Sequence, residues 1–67
     1  MHLLDTFETP HAIHEGLARV APAPLPAGIA RVEVWGSSFT DPGPDFCEFR
    51  CFGADRQPVT TYRQNGY

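Results

Sequence analysis

His11 and His14 stand three residues apart and Cys47 and Cys51 four apart, and imidazole with thiolate is a donor set that suits zinc. Spacing limits what they can do. The cysteines fall in a run that alternates like a β-strand, where residues four apart are separated by about 13 Å. Zinc–sulfur bonds are about 2.3 Å long, and a disulfide needs Cα atoms within about 7 Å. The two cysteines therefore neither share an ion nor bridge each other. One cysteine with both histidines is a ligand set only if the start of a helix lies over that strand. A small zinc-supported module stays as a lesser alternative. The expected state is two thiols buried as small hydrophobes, with no metal and no cofactor.

Nucleophilic catalysis needs a base within hydrogen-bond reach of a hydroxyl or thiol. Ser37, Ser38 and the histidines supply the residue types, but no local motif joins them. The carboxylates Asp41 and Asp45 flank a Pro-Gly-Pro segment, which reads as turn chemistry rather than acid–base catalysis. Gly36, Gly43, Gly53 and Gly66 are scattered over expected turns and strand ends and do not form a phosphate-cradling loop. The chain is not expected to be an enzyme.

A different constellation is more informative. Arg31, Glu33, Trp35, Glu48, Arg50, Thr61 and Arg63 fall on one side of the strands read below, and Trp and Arg are enriched where interfaces concentrate their binding energy. Trp35, Glu33, Glu48, Arg50 and Arg63, with the acids Asp41 and Asp45, are the expected protein-binding residues. Two arrangements are open for Trp35: an exposed anchor, or a ring covered by residues 1–8 or by Tyr67.

The elements that must position these residues begin with a helix over 9–21. Thr9 is a suitable N-cap, Pro10 occupies the first helical position, and Ile13, Leu17 and Val20 recur at helical spacing. Gly16 weakens this helix by up to about 1 kcal/mol relative to Ala, and Pro22 stops it. Residues 22–28 are a proline-rich connector, read as a semi-rigid spacer. Residues 1–8 either lead into the helix or form a fourth strand.

From 30 to 65 the chain reads as an antiparallel β-meander. In 46–52, Cys47, Phe49 and Cys51 alternate with Glu48 and Arg50, the period of a half-buried strand. The β-rich run 59–64 follows a turn at 54–57. Pairing Phe52 with Val59 sets Phe49 opposite Tyr62, Cys51 opposite Thr60 and Glu48 opposite Arg63. The first strand, from 30 to about 38, joins through turn formers at 39–44. Val34 opposite Phe49 sets Val32 against Cys51, Glu33 against Arg50 and Trp35 against Glu48. A slip of one residue would oppose valines to charges. Apolar matching and charge matching select the same register. The helix is expected to pack on the face carrying Val32, Val34, Cys47, Phe49, Cys51 and Tyr62.

The fold class is thus α+β: one N-terminal helix on a three- or four-stranded antiparallel meander, in a single small domain. At 67 residues the chain buries only about 60% of its unfolded surface, and its net stability is of order 3–5 kcal/mol. An apolar fraction of 42%, with aromatics at 12%, is enough for a core and argues against disorder. A net charge of −3 argues against direct nucleic-acid binding, which draws on phosphate neutralisation. All five bases are arginine, as GC-rich coding favours, and lysine is absent. No apolar run approaches the roughly 20 residues that span a membrane, and the first residues lack the pattern of a secretory signal. Two cysteines without a leader suggest a reducing, cytoplasmic setting, and a sequence with no tag or fusion scar is expected to be a complete small reading frame.

The function these features favour is a small acidic module that binds a larger protein and inhibits or regulates it. Compact inhibitors made by phages and mobile elements, anti-CRISPR proteins among them, are similar in size and charge, though no residue motif carries that likeness. The main alternative is a homodimeric structural or assembly protein paired through sheet edges.

Overall fold

A computed structural model describes residues 1–37 and 46–66 of the chain. It is an α+β fold in which one short helix packs on one face of a four-stranded antiparallel sheet. The strands are β1 (His2–Phe7), β2 (Arg31–Gly36), β3 (Phe46–Phe52) and β4 (Pro58–Asn65), in the order β1-β2-β3-β4, and the helix α1 (Pro10–Leu17) lies between β1 and β2 in sequence. Residues 1–8 therefore supply the fourth strand. The expected turn at 39–44, with Asp41 and Asp45, lies outside the described residues, as does Tyr67.

The β2–β3 register is the one that apolar and charge matching require: Val32 opposite Cys51, Glu33 opposite Arg50, Val34 opposite Phe49 and Trp35 opposite Glu48. In β3–β4, Glu48 meets Arg63, Phe49 meets Tyr62 and Cys51 meets Thr60, again as expected. One pair differs. Phe52 lies opposite Pro58 rather than Val59, because the register shifts between Cys51 and Phe52. The turn dictates this. Gly53 N–H donates to Gln57 C=O at 3.0 Å and Arg56 N–H to Gly53 C=O at 3.0 Å, while Asp55 Oδ1 accepts from Gln57 N–H at 3.1 Å. Arg56 takes a left-handed φ of 65°, as in three-residue hairpin loops that end in a bulge. Closing the hairpin at Gly53 and Gln57 leaves one residue too many in β4, and Val59 is that residue.

The helix is shorter than its apolar period suggests. Thr9 caps it as expected, its Oγ1 accepting from Ala12 N–H at 3.2 Å, with Pro10 in the first turn. It ends at Leu17, not at 21: the N–H groups of Val20 and Ala21 both turn back to the Leu17 carbonyl, at 3.0 and 2.8 Å. Pro22 has no N–H to offer a helix carbonyl and biases Ala21 away from helical backbone. Ile13 and Leu17 are buried, and Val20 still packs against the core from beyond the helix end. The connector is more than a spacer, since Leu25 and Ile29 pack on the same cluster.

The core is the helix side of the sheet. Val32, Val34, Cys47, Phe49, Cys51 and Leu17 are essentially without solvent exposure, and Leu4, Phe7 and Tyr62 pack around them half-buried. Gly16 has a packing reason that composition does not reveal. A Cβ built there would lie 2.5 Å from Cε2 and 2.7 Å from Cδ2 of Phe7. Helix propensity favours Ala over Gly by about 1 kcal/mol, but overpacking costs about 1–3 kcal/mol, so the clash wins. Gly16→Ala is expected to lower the urea midpoint. A raised midpoint at unchanged slope would show that the Phe7 ring yields freely.

Candidate functional site

The sheet's second face has no helix on it among the described residues. Strand alternation brings Arg31, Glu33 and Trp35 of β2, Phe46, Glu48 and Arg50 of β3, and Thr61 and Arg63 of β4 to this side. All five expected binding residues within the described segments lie here together. Asp41 and Asp45 fall outside those segments.

Their side chains form a chain of contacts across the sheet. Glu33 uses both carboxylate oxygens: Oε1 accepts from Trp35 Nε1–H at 2.9 Å, and Oε2 from Arg31 Nε–H at 3.0 Å. Arg31 also reaches Glu8 Oε2 with Nη1, at 3.0 Å. Arg50 donates from Nε to Glu48 Oε2 at 3.1 Å and lays its guanidinium over the Trp35 ring, with Cζ 4.9 Å from the centroid. Arg63 meets Glu48 Oε1 at 3.5 Å, and its Cζ stands 4.3 Å from the Phe46 ring centroid. Met1 Sδ lies 3.5 Å from Arg50 Nη2. Trp35 is thereby held on its N–H edge by Glu33 and on its face by Arg50, a cation–π contact of the kind that favours Arg over Lys.

The Glu48–Arg63 pair forms across the strands as expected. Glu33 and Arg50 are register partners, but their ion pairs run along the strands instead, to Arg31 and Glu48 respectively. The cause is Trp35. Its indole N–H takes one Glu33 oxygen, Arg31 takes the other, and the ring draws the Arg50 guanidinium over itself. Residues 1–8 do not fold across Trp35 as a strand: they add beside β2 in the sheet plane, with Leu3 opposite Trp35, and Met1 reaches the Arg50 guanidinium above the ring. The indole is partly buried, and cover by Tyr67 lies outside the described residues.

Electrostatics follow from these contacts. The Trp35 hydrogen bond, then the Arg31 hydrogen bond, hold the Glu33 carboxyl below the usual carboxylate range. The hydrogen bond to Glu33 pushes Arg31 up. A depressed carboxylate pKa contributes stability above its unfolded value and loses it as pH falls through the folded value. Acidification through and below the carboxylate range is therefore expected to release Trp35, the sole tryptophan, and change its fluorescence. Glu33→Gln should remove that acid step. Identical titrations of the two proteins would show that the Glu33–Trp35 bond does not hold the indole.

Among the described residues the other chemical candidates do not assemble, and Ser38 lies outside them. Burial pushes both the Cys47 and Cys51 thiols up, and both are free. Ser37 Oγ accepts from Phe46 N–H at 3.3 Å, a strand-end role. His11 faces Glu15 at 3.1 Å on the exposed side of α1. Among the described residues no three His, Cys, Asp or Glu side chains gather as a metal site, and no helix is long and apolar enough to cross a membrane.

Among the described residues, Phe46, Glu8, Met1 and Leu3 join the outer face beyond the expected set. Phe46 shares the parity of Glu48 and Arg50, so strand alternation already placed it there. Glu8 and Met1 had no such signal, because the strand that brings them close was unassigned. Compared with protein-family models, with curated proteins and with solved structures, the chain matches none.

Proposed function

We propose that the chain is a small, mildly acidic, non-catalytic protein-binding module that docks through the outer face of its sheet and inhibits or regulates a larger partner. The observation that carries this reading is the clasp on Trp35, between Glu33 and Arg50, on the face opposite the helix. Holding an aromatic anchor in one pose before binding removes part of the ordering cost of association. Leu3, 46% exposed and opposite Trp35, extends the apolar centre, while Arg31, Arg50 and Arg63 surround it with charge. Because Glu8, Glu33 and Glu48 pair with these arginines, the fitting partner surface is an apolar pocket whose rim carries charges of both signs. A net charge of −3 disfavours a polyphosphate chain in that role.

The test is capture from a lysate of the source cell, using wild type, Trp35→Ala and a control, His11→Ala, on the helix side. An anchor residue contributes about 2 kcal/mol or more, so Trp35→Ala should weaken binding roughly 30-fold or beyond while His11→Ala leaves it intact. Equal capture by a folded Trp35→Ala variant overturns the reading.

A further inference from the structure

The sheet has two edges, and they differ. Both edge strands carry one register shift, but in β1 it falls inside the short strand, between Leu3 and Asp5, whereas in β4 it falls at Val59, beside the turn; a bulge within an edge blunts it against pairing. β4 is the longest strand, eight residues from Pro58 to Asn65, and its register with β3 is unbroken from Asn65 to Thr60. Among the described residues nothing pairs with its far side.

The phase of the hydrogen bonds says which groups that side offers. Ser37 N–H donates to Phe46 C=O at 3.1 Å, one step beyond the Gly36–Cys47 pair. Hydrogen-bonded and non-hydrogen-bonded pairs alternate in antiparallel ladders. Phe46, Glu48 and Arg50 therefore direct their amides toward β2, and Cys47, Phe49 and Cys51 direct theirs toward β4. Their partners Gln64, Tyr62 and Thr60 point back at β3. Thr61 and Arg63 are left with N–H and C=O groups aimed away from the sheet.

We infer that β4 pairs antiparallel with β4 of a second copy of this chain, about a two-fold axis that sets Tyr62 opposite Tyr62. This rests on the edge alone and is independent of the outer-face reading. In that register Thr61 faces Arg63 of the second copy, and the reverse, and each such pair exchanges both of its hydrogen bonds. Thr60 faces Gln64, so the regular part of the strand, from Thr60 to Gln64, is used. The two Tyr62 rings meet on the helix side as a close, non-hydrogen-bonded aromatic pair. Centring on Arg63 instead would oppose like charges, which destabilises. Centring on Thr61 would set Gln64 against Pro58 and leave Asn65 beyond the end of the partner strand. A second copy is favoured over an unrelated strand because this contact is self-complementary and closes at two chains, leaving only the bulged β1 edges outside. The dimer presents both Trp35 faces on one side of a continuous sheet.

Sedimentation of the whole chain under reducing conditions, over a range of concentrations, tests this. Wild type should show a concentration-dependent monomer–dimer equilibrium. Thr61→Glu places a carboxylate against Arg63 of the second copy twice per dimer and should tighten it. Thr61→Lys places like charges there and should loosen it, with the two dissociation constants separated on the order of tenfold. Both substitutions are at an exposed strand position, and circular dichroism checks that each folds. A wild-type chain that stays monomeric up to millimolar concentration overturns the proposal, and so does Thr61→Lys dimerising as tightly as Thr61→Glu.

Discussion

Phe49→Ala is expected to cost about 3–5 kcal/mol, measured as the loss in unfolding free energy in urea. Phe49 has no exposed surface and is the largest fully buried side chain. It sits mid-strand in β3, opposite Val34 on one side and Tyr62 on the other, so truncation opens a cavity bounded by two strands and the helix above. A domain of this size has about 3–5 kcal/mol in total. The variant should therefore be mostly unfolded at 25 °C. A thermal melt close to wild type would remove Phe49 from the core and with it the register built around it.

Leu17→Ala comes next, at about 2–5 kcal/mol, with a different signature. Leu17 is 1% exposed and, with Ile13, seats α1 on the sheet. Eight residues are fewer than the roughly 12–15 an isolated helix needs, so α1 is helical because it is packed. Losing that contact should undock the helix before the sheet opens. In native-state hydrogen exchange the α1 amides should lose protection while those of β3 exchange more slowly. Equal protection of both would show that helix and sheet open as one unit. Because Leu17 and Phe49 belong to one cluster, the double variant should depart from the sum of the two losses.

How far the sequence carries depends on whether two signals agree at a position. In β2, β3 and β4 apolar alternation and charge matching select the same pairs, and the register follows down to individual partners. Leu3 and Leu4 break the alternation in β1 because a register shift falls there, so that strand stayed one of two alternatives. The end of the helix depends on how Pro22 redirects Ala21, which apolar spacing at Val20 does not report. The Phe52–Val59 pair looks favourable by residue type, yet hydrogen bonding around Gly53 and Arg56 moves Val59 out of it.

The outer face shows the same division. Alternation was enough to place Trp35, Glu33, Glu48, Arg50 and Arg63 on one side. It was not enough to pair them, since the Trp35 indole competes for the Glu33 carboxylate and for the Arg50 guanidinium. That competition is a three-body effect, and pairwise cross-strand rules do not contain it.

The most direct test of a Trp35-centred interface uses the fact that the chain has one tryptophan. Biosynthetic 5-fluorotryptophan gives a single fluorine resonance from Trp35, read while the captured partner is added and sedimentation reports the complex. The resonance should shift or broaden in step with complex formation. A complex that forms with the Trp35 resonance unchanged would contradict docking through this face.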